Sequence, residues 1–298
     1  MFTAPDNFIT SLSLFVLSTN QKLFKLGLWA ILYINNLCSF EHGELEHTVI
    51  RLMLPVYEKL FNIILNTGIV PDTWTVGIIH SIYKNKGDSK DPSNYRPISL
   101  ISCFSKVFTS IINNRLTSYA DQVHLISESQ SGFRKMHSTT DNIFILHSLV
   151  NLYPTKKKRL FCTFVDFSKA FDQVNRSFLW VKMLKSNISG NCFNMIKNMY
   201  QNIKSCVYKD DSYSDLFSCN IGVRQKEHLS PFLFAVFLND LESYLEIAGV
   251  SSLDMVDSLF YERLDIYRYM KIFLVLYADD ALLFSESLEW NAINVRWA

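Results

Sequence analysis

Three aspartates carry the clearest chemical signal in the sequence. Asp166 follows the apolar run LFCTFV, and the adjacent pair Asp279 and Asp280 separates LVLYA from ALLFS. An ionised carboxylate among apolar residues is costly unless water or a cation neutralises it. The pair therefore belongs either to a solvated turn or to a cation site, and Asp166 taken alone would also suit the cap of a helix.

The secondary structure predicted around the three aspartates helps to decide between a solvated turn and a cation site. Residues 160–165 are nearly all apolar, which predicts a strand buried on both faces and closed by Asp166. The runs on either side of the pair predict a β-hairpin with Asp279 and Asp280 at its tip. If this strand and the hairpin are neighbours in one sheet, the three carboxylates converge. Carboxylates without His or Cys suit a hard cation such as Mg²⁺, and two such ions can assist an in-line displacement at phosphorus.

The rest of the chain divides by its hydrophobic period. Apolar residues at helical spacing, with a proline at the start of the last segment, predict helices over 44–66, 104–119, 142–152, 175–186 and 231–245. Residues 76–84 predict a strand, and polar residues predict loops over 85–97 and 125–141. The basic run at 156–159 predicts a solvated loop.

Composition and charge limit the function classes. With 298 residues, of which 49% are hydrophobic, the chain can form one large packed domain or two modest ones. The net charge of +1 is unevenly spread. Residues 81–160 carry 12 Lys and Arg against 5 Asp and Glu, whereas residues 201–298 carry 8 against 15. We therefore expect the earlier part to contact any polyanion and the later part to supply the carboxylates.

Cysteine usage and the N-terminal segment indicate the compartment. The six cysteines are widely spaced, without a Cys-x-x-Cys pair, which favours reduced thiols in an intracellular protein of the nucleus or cytoplasm rather than a secreted one. Residues 1–43 stay unassigned. Their two apolar runs are each shorter than the ~20 residues that span a bilayer, so a membrane anchor is not expected.

Several motifs, in order, resemble those of one polymerase family: NYRPISL, QSGFR, DFSKAFD, GVRQ followed by LSPFLF and FLNDL, and YADD. Together they resemble the reverse transcriptase domain of non-LTR (LINE-type) retrotransposons, from about Val49 to Ser287. The resemblance implies an α+β fold of the right-hand polymerase type, with fingers-like residues 44–159 and palm-like residues 160–298. It implies an antiparallel palm sheet backed by helices, and a thumb that is missing from this sequence and expected beyond Ala298, as in a shortened copy.

The resemblance also implies roles at the acidic site. Asp166 and Asp279 would be metal ligands, Asp280 would complete the acidic cluster, and the carbonyl of Phe167 would lie nearby. The implied cofactor is a pair of Mg²⁺ ions, with Mn²⁺ as the alternative. Phe171 matches a gate whose ring excludes a 2′-hydroxyl and so selects deoxynucleotides. An ordinary core aromatic is the alternative for Phe171.

Basic and amide side chains complete the implied site. Arg134 would grip the incoming triphosphate, and Gln225 would lie along the nascent base pair. The implied nucleic-acid contacts, which hold register without reading sequence, come from Lys84, Arg96 and Arg224. For the exposed cations, an ordinary solvated surface charge is the alternative. Lys226 stands where the family usually has Gly, which lets the backbone approach the nucleotide and adopt conformations that other residues avoid.

The implied activity is RNA-directed DNA polymerisation, with an RNA template, a DNA primer and deoxynucleoside triphosphates as partners. Two other hypotheses use the same residues. One is a catalytically inactive copy that still binds nucleic acid through its basic region, since Lys226 would crowd the pocket. The other is a Mg²⁺-dependent nuclease or phosphohydrolase on a different fold, which leaves QSGFR and LSPFLF without a role.

Overall fold

The computed structural model describes residues 43–209, 211–247, 253–254, 271–272 and 274–286. The expectations for the first 42 residues, the absence of a membrane anchor included, lie outside this part of the chain. None of the helices in the described ranges is both long enough and apolar enough to cross a bilayer.

The elements follow one another in a mixed order. The helices are α1 (Gly43–Thr67), α2 (Cys103–Gln122), α3 (Thr139–Thr155), α4 (Arg176–Lys185), α5 (Gly190–Met199), α6 (Ser230–Leu238) and α7 (Leu241–Ile247). The strands are β1 (Val76–Tyr83), β2 (Tyr95–Leu100), β3 (Phe161–Asp166), β4 (Lys204–Lys209), β5 (Ser212–Tyr213), β6 (Phe217–Ser218), β7 (Leu253–Asp254), β8 (Lys271–Ile272), β9 (Leu274–Tyr277) and β10 (Asp280–Ser285). The predicted helices and the predicted strands at 76–84, 160–165 and the hairpin are present, with differences described below.

Two compact units contain these elements. Of the described residues, unit 1 combines those up to Phe108 with those in Asn187–Asn220, and unit 2 combines Thr109–Ser186 with those from Ile221 onward. Each unit draws on both sides of the predicted boundary at 159/160. The assignment of fingers-like and palm-like regions to that boundary stays a prediction.

Unit 1 is built on a mixed sheet in the order β2–β1–β4–β5, with β6 also paired to β4. β1 runs antiparallel to β2 and parallel to β4. Its aromatic core includes Phe61, Trp74 and Phe108, whose ring centroids lie 5.2–6.3 Å apart. Edge-on and tilted rings at these distances add to the free energy of burial.

One prediction in unit 1 is wrong in part. Residues 95–97, expected to be loop, begin β2, where Tyr95 pairs with Tyr83 and Pro97 with Ser81. Pro97 is compatible with a strand here because β2 is the edge strand of its sheet, where a missing N–H costs no ladder hydrogen bond. The remaining loop is ordered by a short 3₁₀ helix, Pro92–Asn94.

Unit 2 contains an antiparallel sheet in the order β3–β10–β9, with helices packed on both faces. On one face Leu241 and Leu245 of α7 pack against Leu274, Leu276 and Ala281. On the other face Leu149 and Tyr153 of α3 pack against Val275 and Phe284. The alternation of inward residues along β9 and β10 is what a two-sided sheet requires.

The prediction that β3 is buried on both faces is wrong. Its side chains alternate between half-buried and exposed, and Phe164 is 74% exposed. β3 is one of the two edge strands of this sheet, and the cluster around α3 includes Phe284 and Leu282 of β10 but not Phe164. An apolar run therefore indicated a strand correctly but overstated its burial.

The predicted helix 231–245 is divided at Asn239 and Asp240 into α6 and α7. Lys182 of α4 donates to the carbonyl of Phe237 and to the carboxylate of Asp240, at 2.5 Å each. A cation at the C-terminal end of α6 satisfies a carbonyl that has no partner within the helix. The chain therefore forms two short helices where the hydrophobic pattern suggested one.

Candidate active site

Asp166 and Asp280 face each other across the sheet. They are register partners on the antiparallel strands β3 and β10, so both side chains lie on the same face. The N–H of Phe167 donates to the carbonyl of Asp279 at 3.4 Å, which makes the neighbouring Asp166:Asp280 pair a non-hydrogen-bonded pair. In such pairs the Cα atoms approach to about 4.5 Å. The predicted adjacency of the strand and the hairpin is therefore confirmed.

The third acid lies in the turn that precedes β10. Ala278 and Asp279 form a two-residue connection between Tyr277 and Asp280, which are paired with each other. Of these two turn residues only Ala278 has a positive φ, 60°. Hairpins with a positive φ at the first turn position normally place glycine there, because a Cβ is disfavoured. The turn is thus a locally strained segment beside the acids.

Residues 129–132 support this turn from the free edge of β9. The N–H of Leu276 donates to Ser129 O at 2.7 Å, and the N–H of Ser131 donates to Leu276 O at 3.0 Å. These bonds add the segment to β9 as a short parallel strand centred on the Gln130–Leu276 bridge. Gln130, Ser131 and Gly132 begin the QSGFR motif, so the structure places that motif beside YADD.

Gly132 lies in close contact with the backbone of the turn at Ala278. A Cβ placed on Gly132 would lie 2.1 Å from the backbone nitrogen of Ala278. Real Cβ atoms do not come that close to a backbone atom, and backbone cannot rotate away as a side chain can. Only glycine fits this contact.

A polar network fastens the same segment to the division between α6 and α7. Asn239 donates to the carbonyl of Leu125 and accepts from the N–H of Ser127, both at 2.8 Å. The carboxylate of Glu242 accepts from the hydroxyl groups of Ser127 and Ser129. Asn239 and Glu242 therefore help to set the position of the residues that pair with β9.

Phe171 lies in the 3₁₀ turn after β3, half-buried between two rings. Its ring stacks on Phe234 at 4.8 Å and meets Phe133 edge-on at 6.1 Å. The segment with Gly222 runs beside this turn, because the N–H of Val223 donates to Phe171 O at 2.7 Å. Gly222 has a φ of 82°, and a Cβ there would lie 2.7 Å from Asp172 O. The ring of Phe171 is thus held by packing in one orientation.

The predicted nucleotide contact Gln225 is bonded within the protein. Its side-chain amide donates to both carboxylate oxygens of Asp172, at 2.9 and 3.0 Å. Asp172 closes the DFSKAFD motif, so the structure links that motif to GVRQ. Next to Gln225, Lys226 is exposed and has a φ of 65°. This is the left-handed backbone that the glycine usual at this position adopts without strain.

The prediction that Arg224 contacts nucleic acid is corrected by its position. The Arg224 side chain is only 6% exposed and forms an ion pair with the fully buried Glu227 at 3.5 Å. Ser230 donates to the Arg224 carbonyl at 2.5 Å. A phosphate in solution does not reach a guanidinium buried in this way, and the ion pair is part of the interior before α6.

Arg134 is engaged by its own loop. The guanidinium donates to the carbonyls of Ser127 and Gln130, at 3.2 and 3.4 Å, and to Glu128 at 3.0 Å. The carbonyl contacts direct the side chain back toward the residues that lead to Gly132. Any contact with a triphosphate would have to replace Glu128, the exposed partner.

Lys84 and Arg96 lie in unit 1. Arg96 is exposed on β2, and Lys84 follows β1 and donates to the carbonyl of Ser93 at 2.9 Å. Their positions flank the ordered loop 84–94. Each is accessible to a phosphate group from solvent.

The oxygen atoms around Asp166 and Asp280 determine which metal ion this site could hold. Among the described residues, no three His, Cys, Asp or Glu side chains are gathered closely enough to hold one. The register nevertheless opposes two carboxylates, and like charges directly opposite are unfavourable without a cation between them. The Phe167 carbonyl accepts from Ala170 at 3.2 Å, and a carbonyl has a second lone pair. An all-oxygen set of this kind fits Mg²⁺.

A family model described as reverse transcriptase (RNA-dependent DNA polymerase) matches residues 83–295, more than half of the chain. The chain belongs to this family. The reverse transcriptase match includes all of the acids and the motifs described above from NYRPISL to YADD.

Curated relatives are retrotransposon proteins. A probable RNA-directed DNA polymerase from transposon BS of Drosophila melanogaster is 28% identical over 255 residues, covering 85% of this chain and 26% of the relative. The RNA-directed DNA polymerase from mobile element jockey of Drosophila funebris is 29% identical over 260 residues, covering 83% and 28%. The chain thus spans about a quarter of the length of these relatives.

A solved structure shares the fold. Telomerase from Candida tropicalis, in complex with a fragment of telomeric RNA, superposes with a TM-score of 0.50 and 13% identity, covering 74% of this chain and 38% of the telomerase. At this identity the likeness concerns the fold alone. The described residues therefore have a reverse transcriptase-like arrangement of helices and sheets.

Several residues of the site were not found from the sequence. They are Gly132, Asp172, Asn239, Glu242 and Ala278. Gly132, Asp172, Asn239 and Ala278 belong to motifs that the sequence does single out, whereas Glu242 follows FLNDL and carries no signal of its own.

Proposed function

We propose that the chain catalyses RNA-directed DNA synthesis, adding deoxynucleotides to a primer 3′-hydroxyl. The observation that carries the proposal is the Asp166:Asp280 pair, opposed across an antiparallel sheet beside the turn with Asp279. Carboxylates held by rigid strands can bind metal without rearrangement of the backbone. Membership of the reverse transcriptase family and the retrotransposon relatives support the same function.

In this proposal Asp166, Asp279, Asp280 and the Phe167 carbonyl would hold the metal ions. When bound, two Mg²⁺ or Mn²⁺ ions activate the attacking hydroxyl and neutralise charge on the leaving phosphate. The chain's own part is to present oxygen ligands from β3 and the β9–β10 turn. Gly132 and Ser131 hold that turn from one side, so they position the acids without touching substrate.

Nucleotide selection is assigned to Phe171, Gln225 and Arg134. The stacked position of Phe171 on Phe234 gives a rigid wall that could exclude a 2′-hydroxyl. Gln225 is held by Asp172 near the same turn. Arg134 would exchange its bond to Glu128 for a triphosphate oxygen, since a guanidinium matches phosphate geometry.

The proposed partners are an RNA template, a DNA primer and deoxynucleoside triphosphates. We assign a palm-like role to the β3–β10–β9 sheet and a fingers-like role to the β1–β2 pair. Lys84 and Arg96 would contact the phosphate backbone. Arg224 has no part in this contact because it is buried.

Primer extension tests the proposal. The chain is supplied with an RNA template, a labelled DNA primer and Mg²⁺, and is compared with an Asp279→Asn, Asp280→Asn double variant, which keeps side-chain shape but removes the charges. Asp121→Asn, an exposed acid at the end of α2, is the matched control. Extension by the parent and the control but not by the double variant supports the assignment. Equal extension by all three contradicts it.

A second function is favoured by one observation. Lys226 places a long charged side chain on a left-handed backbone beside Gln225, where glycine would leave space. This favours nucleic-acid binding without synthesis. The two functions separate in one experiment: an RNA-bound parent that extends no primer, and gains extension on Lys226→Gly, supports the second.

A further inference from the structure

An aromatic row crosses one face of the sheet in unit 1. His80 on β1, Tyr208 on β4 and Tyr213 on β5 are register partners in succession. The ring centroids of His80 and Tyr208 lie 4.8 Å apart, and those of Tyr208 and Tyr213 also lie 4.8 Å apart. Register partners share a face of the sheet, so these three residues, hereafter the aromatic row, form a continuous strip about 10 Å long.

The aromatic row is accessible from solvent. Tyr213 is 63% exposed, and His80 and Tyr208 are half-buried. Along β1 the next residue on the same face is Ile82, 51% exposed. A strip of rings and an exposed aliphatic side chain on an open sheet face is a surface that can take planar apolar groups.

Two cations lie on the same face as the aromatic row: Arg96 is beside it, and Lys204 is about 13 Å along β4 from Tyr208, with the buried Cys206 between them. Arg96 is the register partner of Ile82, two residues along β1 from His80. Lys204 lies four residues before Tyr208 on β4, so its side chain points to the same side. Both cations are exposed. The acid in the β4–β5 turn, Asp211, accepts a hydrogen bond from the Tyr208 hydroxyl at 2.7 Å.

The opposite face of the sheet uses its aromatics differently. The ring centroids of Tyr83 and Tyr95 lie 5.3 Å apart, with the ring planes tilted by 49°. Their hydroxyl groups donate to the carbonyls of Gly87 and Ser89, at 2.5 and 2.7 Å. These tyrosines therefore brace the 84–94 loop. The aromatic row has no comparable part in holding that loop.

We propose that the aromatic row binds the bases of single-stranded RNA, the unpaired part of the template, by stacking. Unpaired bases expose their planar faces and stack on aromatic side chains, and four-stranded sheets that bind RNA stack two or three bases in this way. Arg96 is placed to neutralise a phosphate beside the strip. The proposal rests on the proposed function, because a polymerase template supplies the unpaired strand.

The competing explanation is that the rings only stabilise the sheet. Cross-strand aromatic pairs contribute to strand pairing whether or not they bind a ligand. The experiment must therefore separate loss of stacking on RNA from loss of fold.

Binding is measured by fluorescence anisotropy of a short labelled single-stranded RNA, with EDTA present so that no synthesis occurs. The variants are Tyr213→Leu, which removes an exposed ring, and Tyr213→Phe, which keeps it. Phe217→Leu is the matched control, an exposed ring on the opposite face of the same sheet, paired with Ser205. Thermal unfolding of each variant checks the fold.

Tyr213→Leu is expected to weaken RNA binding about 5- to 150-fold, the range for one lost base stack. Tyr213→Phe and Phe217→Leu should bind as the parent does, and the loss should be absent with double-stranded RNA, whose bases are paired. Unchanged binding by Tyr213→Leu, an equal loss in Phe217→Leu, or no binding by the parent overturns the proposal. Failure of primer extension with this RNA-binding pattern intact would count against catalysis alone.

Discussion

Gly132 lies against the backbone of Ala278, although 146 positions separate them in the chain. The contact joins the QSGFR motif to the turn that carries Asp279. The position of the turn, and with it that of Asp279 and Asp280, therefore depends on the absence of a side chain at residue 132. The consequences for stability and catalysis can be measured separately.

Gly132→Ala should destabilise the protein and impair synthesis. The added Cβ would overlap a backbone atom, so either residues 129–132 leave β9 or the turn shifts; overpacking of this kind costs about 1–3 kcal/mol. A displaced acid could lower primer extension about 100-fold. Urea unfolding and primer extension measure the two effects. Gly77→Ala is the control, because its Cβ would meet its nearest neighbour at an ordinary 3.4 Å; an equal effect there would contradict the explanation.

Asp280→Asn should stabilise the metal-free protein. Removing one of two opposed charges relieves a repulsion worth about 0.2–1 kcal/mol. Mg²⁺ should raise the melting temperature of the parent but have less effect on the variant, since one carboxylate ligand is lost. Thermal unfolding with EDTA and with Mg²⁺ measures both. If Mg²⁺ stabilises the variant as strongly as the parent, the acids do not bind it.

Lys226→Gly should stabilise the protein by about 1 kcal/mol, because a left-handed φ of 65° disfavours a residue with a Cβ. Lys226→Asn should give a smaller gain, and Lys226→Ala none, although all three variants remove the charge. Urea unfolding of the series separates backbone strain from charge. A gain for Ala equal to that for Gly would point to charge instead.

Arg224→Met should lower the free energy of unfolding by about 3–5 kcal/mol, since it removes the cation that forms an ion pair with the buried Glu227. The double variant Arg224→Met, Glu227→Leu should recover most of this loss. Urea unfolding measures stability, and the salt dependence of RNA binding in the double variant should match that of the parent. A reduced salt slope would show that Arg224 contacts phosphate after all.

Acid should weaken the contact between β10 and α3. The Lys158 ammonium, by its hydrogen bond, holds the pKa of Glu286 below its usual value of about 4.5, and the Tyr153 hydroxyl adds to the effect. A lowered folded-state pKa gives stability that is full above the unfolded pKa and is lost as the pH falls through the folded pKa. Stability should therefore fall below about pH 4.5.

Glu286→Gln is the test of that pH dependence. The variant should lose less stability than the parent when urea unfolding at neutral pH is compared with unfolding in acid. Parallel pH profiles for the two proteins would mean that Glu286 does not contribute.

The periodicity of apolar residues was enough to predict individual strands and helices. The strand before Asp166 and the hairpin around Asp279 follow from apolar periods, and the helix 44–66 follows from its spacing. The burial of β3 was overestimated because the same apolar run suits a covered strand and an edge strand. Whether Phe164 is exposed depends on which helices or strands cover it. The pattern of residues within β3 contains no information about those elements.

The supporting contacts could not be predicted, because their partners are distant in sequence. Asn239 bonds to Leu125 across 114 residues, and Ser131 bonds to Leu276 across 145. The resemblance of the GVRQ motif implied a nucleic-acid contact for Arg224, yet tertiary packing buries it with Glu227. The strands β4 to β6 are short and partly polar, so their pairing rather than their composition defines them.

The parallel pairing of residues 129–131 with β9 also has a consequence for how the chain folds. Ser131 leaves the ribosome long before Leu276. During synthesis, residues 129–131 therefore have no β9 with which to pair. The pairing brings together residues 145 positions apart. The conformational entropy lost on closing this loop precedes the formation of the hydrogen bonds, so the pairing is slow. We therefore expect the acidic turn to reach its final geometry late in folding, after residues 129–131 have paired with β9.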